Sequence, residues 1–198
     1  MLRNDNLADK NRSGGIDMLK HNLIIIATAL AVGTATLRAQ EHLVFEKTPI
    51  TGDVYTFCTR LAMQGYRLET TRHNASETQA TLTARRGNDT VEVLVSDEGT
   101  HNVQYVMLSY PVYRKWDKLL ESYTRMRSHL TTTYGQPRED IMPEKKPATP
   151  FEDIADGSSQ YKAVYTTRNG TVTIMIMPVK EYARIVINYR DGIQTVQH

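Results

Sequence analysis

Apolar side chains recur with helical spacing in two segments of the chain. The first stripe predicts a helix over residues 52–64, with Thr51 or Asp53 as its N-terminal cap and Gly65 at its C-terminal end. The second stripe predicts a longer helix over residues 112–134, which Gly135 and Pro137 terminate. We interpret both stripes as core-facing. Their members are Val54, Phe57, Cys58, Leu61 and Ala62, and then Trp116, Leu119, Leu120, Tyr123, Met126, Leu130 and Tyr134.

Seven other segments are rich in threonine, valine and tyrosine, and clusters of turn-forming residues separate them. They predict strands over residues 66–73, 78–86, 89–97, 102–110, 160–168, 171–178 and 182–190. Residues 136–159 have four prolines, mixed charge and no periodicity, so we predict a flexible loop there. Plain mobility and a role as a lid or partner-binding loop are both open.

Two hairpins sort the strand residues onto two faces of a sheet. We place one turn at Gly87-Asn88 and the other at Asn169-Gly170, which pairs Arg168 with Thr171. Since paired residues share a face, alanine, leucine, isoleucine and valine collect on one side of each hairpin and threonine collects on the other. The threonine-rich side is the candidate binding surface. We assign to it Val164, Thr166, Thr173, Met175, Met177, Thr81, Thr83 and Leu94.

This alternation is typical of an antiparallel sheet with one face in water. Two amphipathic helices are available for the dry face, so we predict an α+β fold, a two-layer sandwich with two helices on one face of an antiparallel sheet. The segment from Thr81 to Val95 parallels the segment from Val164 to Ile176. The pattern therefore indicates a duplicated unit of one helix followed by a β-meander.

The N-terminal residues have the organisation of a secretory signal peptide. A basic start at Met18 precedes an apolar run of eleven residues, 23–33, and a small-residue stretch that ends in Ala39-Gln40. We predict a signal peptide over residues 18–39 that is cleaved after Ala39. An uncleaved anchor is the alternative, but a span needs about 20 apolar residues. Residues 1–17 are then a non-native or disordered extension, and residues 40–198 form a single domain.

The charge balance changes once this leader is set aside. Nineteen of the 24 basic residues and nineteen of the 22 acidic residues follow residue 39, so the remaining chain is formally neutral. Nucleic-acid binding proteins need a basic face, and Arg85-Arg86 and Lys145-Lys146 are only dipeptides. We therefore expect no nucleic-acid partner and, after signal cleavage, no stable membrane span.

No motif indicates catalysis, a metal or a cofactor. The histidines show no zinc-binding spacing, no nucleophile elbow or glycine-rich phosphate loop is present, and Cys58 is interpreted as a buried apolar residue. The sequence thus favours an exported, periplasmic or secreted, non-catalytic binding or accessory protein with a protein or another envelope component as partner. A small envelope hydrolase with a dispersed active site and a structural subunit of an envelope assembly are the alternatives.

The chain resembles uncharacterised exported proteins of Bacteroidales over roughly residues 18–190. The resemblance lies in the signal that ends at Ala39-Gln40, in the segment 45–52, in Gly65-Tyr66 and in the motif from Trp116 to Pro137. It implies an envelope or secreted location and nothing catalytic. The tandem helix-plus-sheet units also resemble the β-lactamase-inhibitor-protein class of folds, whose members bind partners on an open sheet; this is an analogy of fold.

Overall fold

The computed structural model describes residues 41–144 and 147–192, and the predicted signal peptide lies outside these ranges. The described chain is an α+β protein with a mostly antiparallel sheet, which confirms the predicted class. Its helices are α1 (Val54–Ala62), α2 (Trp116–Tyr134) and α3 (Pro150–Ala155). Its strands are β1 (Val44–Phe45), β2 (Thr48–Pro49), β3 (Arg67–His73), β4 (Thr78–Arg86), β5 (Asp89–Ser96), β6 (Tyr105–Ser109), β7 (Glu139–Ile141), β8 (Lys162–Thr167), β9 (Gly170–Val179) and β10 (Tyr182–Asp191).

Eight strands form one sheet, in the order β3-β4-β5-β6-β10-β9-β8-β7, and every neighbouring pair is antiparallel. Consecutive strands are adjacent except at the centre, where β6 pairs with β10. The short strands β1 and β2 form a separate hairpin. The sheet is therefore joined in the middle by a contact between segments that are distant in sequence.

Local chemistry explains where α1 and α2 begin and end. Of the two candidate caps of α1, Asp53 is the residue that caps it, because its carboxylate accepts a hydrogen bond of 2.9 Å from the backbone N–H of Thr56. The hydrogen bonds from Thr56 also lower the pKa of Asp53. After the helices, Gly65 and Gly135 adopt φ angles of +92° and +84°, which glycine tolerates without steric cost.

The hydrophobic core contains one face of the sheet together with the helices. Helix α1 contacts β3, β4 and β5, α2 contacts β8, β9 and β10, and α3 contacts β9 and β10. In the strands the buried positions alternate, as predicted from the hairpins. The stripes of α1 and α2 supply the other side of the core, including Phe57, Leu61, Leu119 and Tyr123.

Residues 136–159 have more regular structure than the sequence predicts. Strand β7 pairs with β8 at the edge of the sheet, and α3 places Phe151 against Trp116 with ring centroids 5.5 Å apart. The prediction of a continuous loop was therefore wrong at Glu139–Ile141 and at Pro150–Ala155, and the flexibility of the remaining residues stays a prediction. A three-residue strand is too short to show alternation, and Pro150 is at the start of α3, where proline is well tolerated.

The turn of the second hairpin is also different from the prediction. The ladder closes at Thr167 and Gly170, so the two loop residues are Arg168 and Asn169. Gly170 instead starts β9 beside β10, where a Cβ atom would collide with the carbonyl of Arg190. The real pairing places Tyr165 opposite Val172, whereas the prediction placed Thr167 there. A shift of two residues keeps every side chain on its face, so the predicted faces are unchanged.

Candidate functional site

The predicted binding residues share one face of the eight-stranded sheet. Val164, Thr166, Thr173, Met175, Met177, Thr81, Thr83 and Leu94 alternate with the buried residues of β4, β5, β8 and β9. We call this side the open face, because no described residue on it belongs to the hydrophobic core.

Strands β6 and β10 join the two halves of the open face into one surface. Thr81 is opposite Leu94, which is opposite Met107 on β6. Met107 is opposite Asn188 on β10, and the row continues through Thr173 to Val164. Sequence reasoning missed Met107 and Asn188. Their alternation was visible in β6 and β10, but nothing local indicates that these two strands are neighbours.

Side chains on the open face differ in exposure. Leu94, Met107 and Met175 are half-buried, and Met177 is 39% exposed. Val186, on β10 opposite Met175, is only 2% exposed, so it is a buried residue that lies outside the main core cluster. The neighbouring side chains on this face therefore already pack against one another before any partner binds.

Three cations of the open face are paired with carboxylates of this chain. Arg184 donates to Glu92 at 3.1 Å, and Lys162 lies 3.0 Å from Glu139. Arg190 contacts both carboxylate oxygens of Glu98, at 2.5 and 2.7 Å. Because each cation has a carboxylate beside it, these pairs add no net charge to the surface.

A cleft of about 1370 Å³ lies on the other side of the sheet. The hairpin β1–β2 borders it through Val44 and Lys47, and α2 borders it through Met126 and Leu130. Strand β6, the residue that follows it and strand β10 form the floor. The floor residues are Leu108, Tyr110, Ile187 and Tyr189. The sequence has no local signal for this cleft, because its lining residues come from seven segments that are separated along the chain.

The carboxylate of Glu46, at one wall of the cleft, is engaged by two neighbouring side chains. Tyr66 donates a hydrogen bond of 2.7 Å to its carboxylate, and Arg86 forms an ion pair with it. Arg86 also donates to the Tyr66 hydroxyl at 2.8 Å. These contacts connect the hairpin β1–β2 to β4 and to the start of β3.

Three tyrosines in the cleft are held in the neutral form. Burial raises the pKa of Tyr110, Tyr134 and Tyr189 above the ordinary value for a phenol. Their hydroxyls therefore offer neutral hydrogen-bonding groups next to an apolar floor at physiological pH.

Within residues 41–144 and 147–192, no group of three or more histidine, cysteine or acidic side chains is arranged to hold a metal ion. Among the same residues, no helix is long and apolar enough to cross a membrane.

No protein-family model, no curated protein and no solved structure matches the chain.

Proposed function

We propose that the chain is an exported, non-catalytic binding protein of the cell envelope that contacts a partner protein through the open face. The observation that carries this proposal is the continuous row from Thr81 through Met107 to Val164. It crosses six strands, and none of its residues belongs to the core cluster that contains the buried residues of the helices. The predicted signal peptide and the resemblance to exported proteins support the envelope location.

The charges of the open face favour a protein as partner. Arg184, Lys162 and Arg190 are each paired with a carboxylate of this chain, so these three cations are not free to bind phosphates. Methionine side chains such as Met107 and Met175 are flexible and polarisable, and they adapt to an apolar contact. We infer that the partner presents a neutral surface with apolar side chains.

We also infer that the domain is a two-layer sandwich built from a duplicated unit. The order α1-β3-β4-β5-β6 is followed by α2-β7-β8-β9-β10, with α3 inserted after β7. The sheet order is symmetric about the contact between β6 and β10. This symmetry supports the duplication and adds β7 as the fourth strand of the second unit.

The cleft is the place where a hydrolase with a dispersed active site would work, yet its chemistry favours binding. Of the described residues that line it, Glu46 is the only carboxylate, and Arg86 and Tyr66 engage its oxygens. A general base needs an oxygen that is free to accept a substrate proton. A structural subunit of an envelope assembly is the other alternative, and it would use the same open face.

A photo-cross-linking amino acid tests the partner site directly. It is placed at residue 173 on the open face, and the matched control carries it at Thr132, an exposed threonine on α2. Each purified protein is irradiated with a native envelope extract. We expect a protein adduct of one defined mass at residue 173 and none at residue 132. Equal adducts at both positions, or no adduct at residue 173, would overturn the proposal.

Substitutions then show whether that adduct depends on the open face. Thr173→Lys combined with Met175→Glu should abolish the adduct formed by a cross-linker at residue 81, on the same face. Thr132→Lys combined with Met63→Glu is the control, because Met63 is 77% exposed on the helix side. Circular dichroism confirms that each variant is folded. If the face variant keeps the adduct, the open face is not the contact surface.

A further inference from the structure

The cleft combines an apolar floor with a cationic border. Its floor contains Leu108 and Ile187, which belong to the hydrophobic core, and Leu130 extends the apolar surface onto α2. The cationic residues Lys47, Arg86 and Arg125 also line it. An apolar interior with few polar groups is typical of a small-molecule site.

The positive charge of the cleft is only partly compensated. Glu46 neutralises Arg86, with which it pairs. Arg125 on α2 is exposed, and its guanidinium lies 3.4 Å from the Ser122 hydroxyl. Its charge also lowers the pKa of Glu121, one turn earlier, but the first cause of that shift is the hydrogen bond from Lys118. Among the described residues of the cleft, Lys47 and Arg125 have no carboxylate of their own within ion-pair distance.

The size of the cleft fits a ligand with a substantial apolar body. Small-molecule sites usually have a volume of about 300–1000 Å³. The cleft has about 1370 Å³, so an alkyl chain or a ring system can lie on the floor while a charged group reaches the border. The neutral hydroxyls of Tyr110 and Tyr134 add hydrogen-bonding groups between these two regions.

We propose that the cleft binds an amphipathic anion, a small molecule with an apolar body and a carboxylate, phosphate or sulfate head. The apolar body packs on Val44, Met126 and Tyr134, which are accessible apolar residues of the lining, and the head group is attracted to Arg125 and Lys47. This site lies on the opposite side of the sheet from the open face, so it is independent of the proposed partner protein. A free amphiphile and an anionic membrane lipid share this chemistry.

Calorimetry with matched probes tests the class of ligand. We expect decanoate, below its micelle concentration, to bind at least tenfold more tightly than decanol, because only the anion is attracted to the cationic border. Acetate should not saturate the protein, since it has no apolar body. Equal affinity for decanoate and decanol would overturn the anionic part of the proposal. The absence of saturable binding by decanoate would overturn it entirely.

Charge reversal locates the site. Arg125→Glu should weaken decanoate binding at least tenfold, and Lys47→Glu is a second variant in case the first fails to fold. Arg85→Glu is the matched control, because Arg85 is exposed and shares the open-face side of β4 with Thr81 and Thr83. An equal loss in Arg85→Glu, or no loss in either cleft variant, would contradict a ligand in the cleft.

The source of the ligand is tested with vesicles. Sedimentation with vesicles that contain 20% phosphatidylglycerol, compared with vesicles of phosphatidylcholine alone, reports binding to a membrane lipid. If decanoate competes with the anionic vesicles and Arg125→Glu removes the sedimentation, a lipid head group occupies the cleft. If decanoate binds and the vesicles do not, the ligand is a free amphiphile. Vesicle binding that persists in Arg125→Glu would overturn the assignment to the cleft.

Discussion

Asp191, the last residue of β10, holds the chain segment that precedes β1 through the backbone of Leu43. Its Oδ1 accepts a hydrogen bond of 2.7 Å from the Leu43 N–H, although 148 residues separate the two. Its Oδ2 lies 2.9 Å from Nδ1 of His42. The Asp191 side chain is only 1% exposed, so one buried carboxylate connects the two ends of the described chain.

Removal of the Asp191 carboxylate should destabilise the fold. We expect Asp191→Ala to lower the free energy of unfolding by about 1–3 kcal/mol, because the buried Leu43 amide would lose its acceptor. Asp191→Asn should lose less, since its amide oxygen can still accept that hydrogen bond. Urea denaturation measures both. If the two variants match the wild-type protein within about 0.5 kcal/mol, the contact has no structural role.

Trp116 should be essential to the core. Its indole is buried, and its ring lies 5.5 Å from that of Phe151 and 5.4 Å from that of Tyr161. We expect Trp116→Ala to cost about 3–5 kcal/mol because a large cavity would open. Tyr55→Ala is the control, since Tyr55 is 59% exposed on α1. Equal denaturation midpoints for the two variants would show that the α2 stripe is not packed in the core.

Cys58 should be chemically inert in the folded protein. Burial, assisted by the charge of Asp53, raises the pKa of its thiol to about 11. At pH 8 the reactive thiolate is then about one part in a thousand, so Ellman's reagent should react roughly a hundredfold more slowly than with the chain in urea. The reaction is followed by absorbance, with Cys58→Ala as the blank. Immediate reaction of the folded protein would contradict the burial.

The same shift has a consequence for stability at high pH. A raised pKa means that the fold favours the neutral thiol. The stabilisation from this group is complete below the pKa of an unfolded cysteine, near 9.0, and decreases as the pH rises toward about 11. In this pH range the free energy of unfolding should therefore depend less on pH in Cys58→Ala than in the wild-type protein. Thr59→Ala, at the next position on α1, should leave that pH dependence unchanged.

Export predicts a defined mature N-terminus. Mass spectrometry of the protein from its native envelope fraction should find a chain that begins near Gln40, because Ala39 provides the small residue before the cleavage site. The variant Ala39→Leu places a large residue before the cleavage site, so it should slow the removal of the signal peptide. Recovery of a chain that begins at Met1 or Met18 in the cytoplasm would contradict the envelope location.

The sequence was sufficient wherever the determining interactions are local. The alternation in β4 and β5 predicts the buried face, because successive side chains of a strand point to opposite sides. The same holds for β8 and β9 even though the turn was misplaced by one residue at Asn169. That error shifted the predicted pairing by two positions. Because every second side chain of a strand points to the same face, Thr173 and Met175 are still on the open face.

The tertiary structure decided everything that depends on contacts between distant segments. The pairing of β6 with β10 joins Met107 to Asn188 and makes one surface from two hairpins, but no local pattern specifies which strand meets which. Strand β7 exists because β8 offers it an edge, and three residues are too few to carry a periodic signal. The cleft needs Lys47, Leu108, Arg125 and Ile187 to converge. The sequence alone determined which side chains are buried, because that follows from local periodicity. Only the long-range contacts determined how the remaining side chains are assembled into the open face and the cleft.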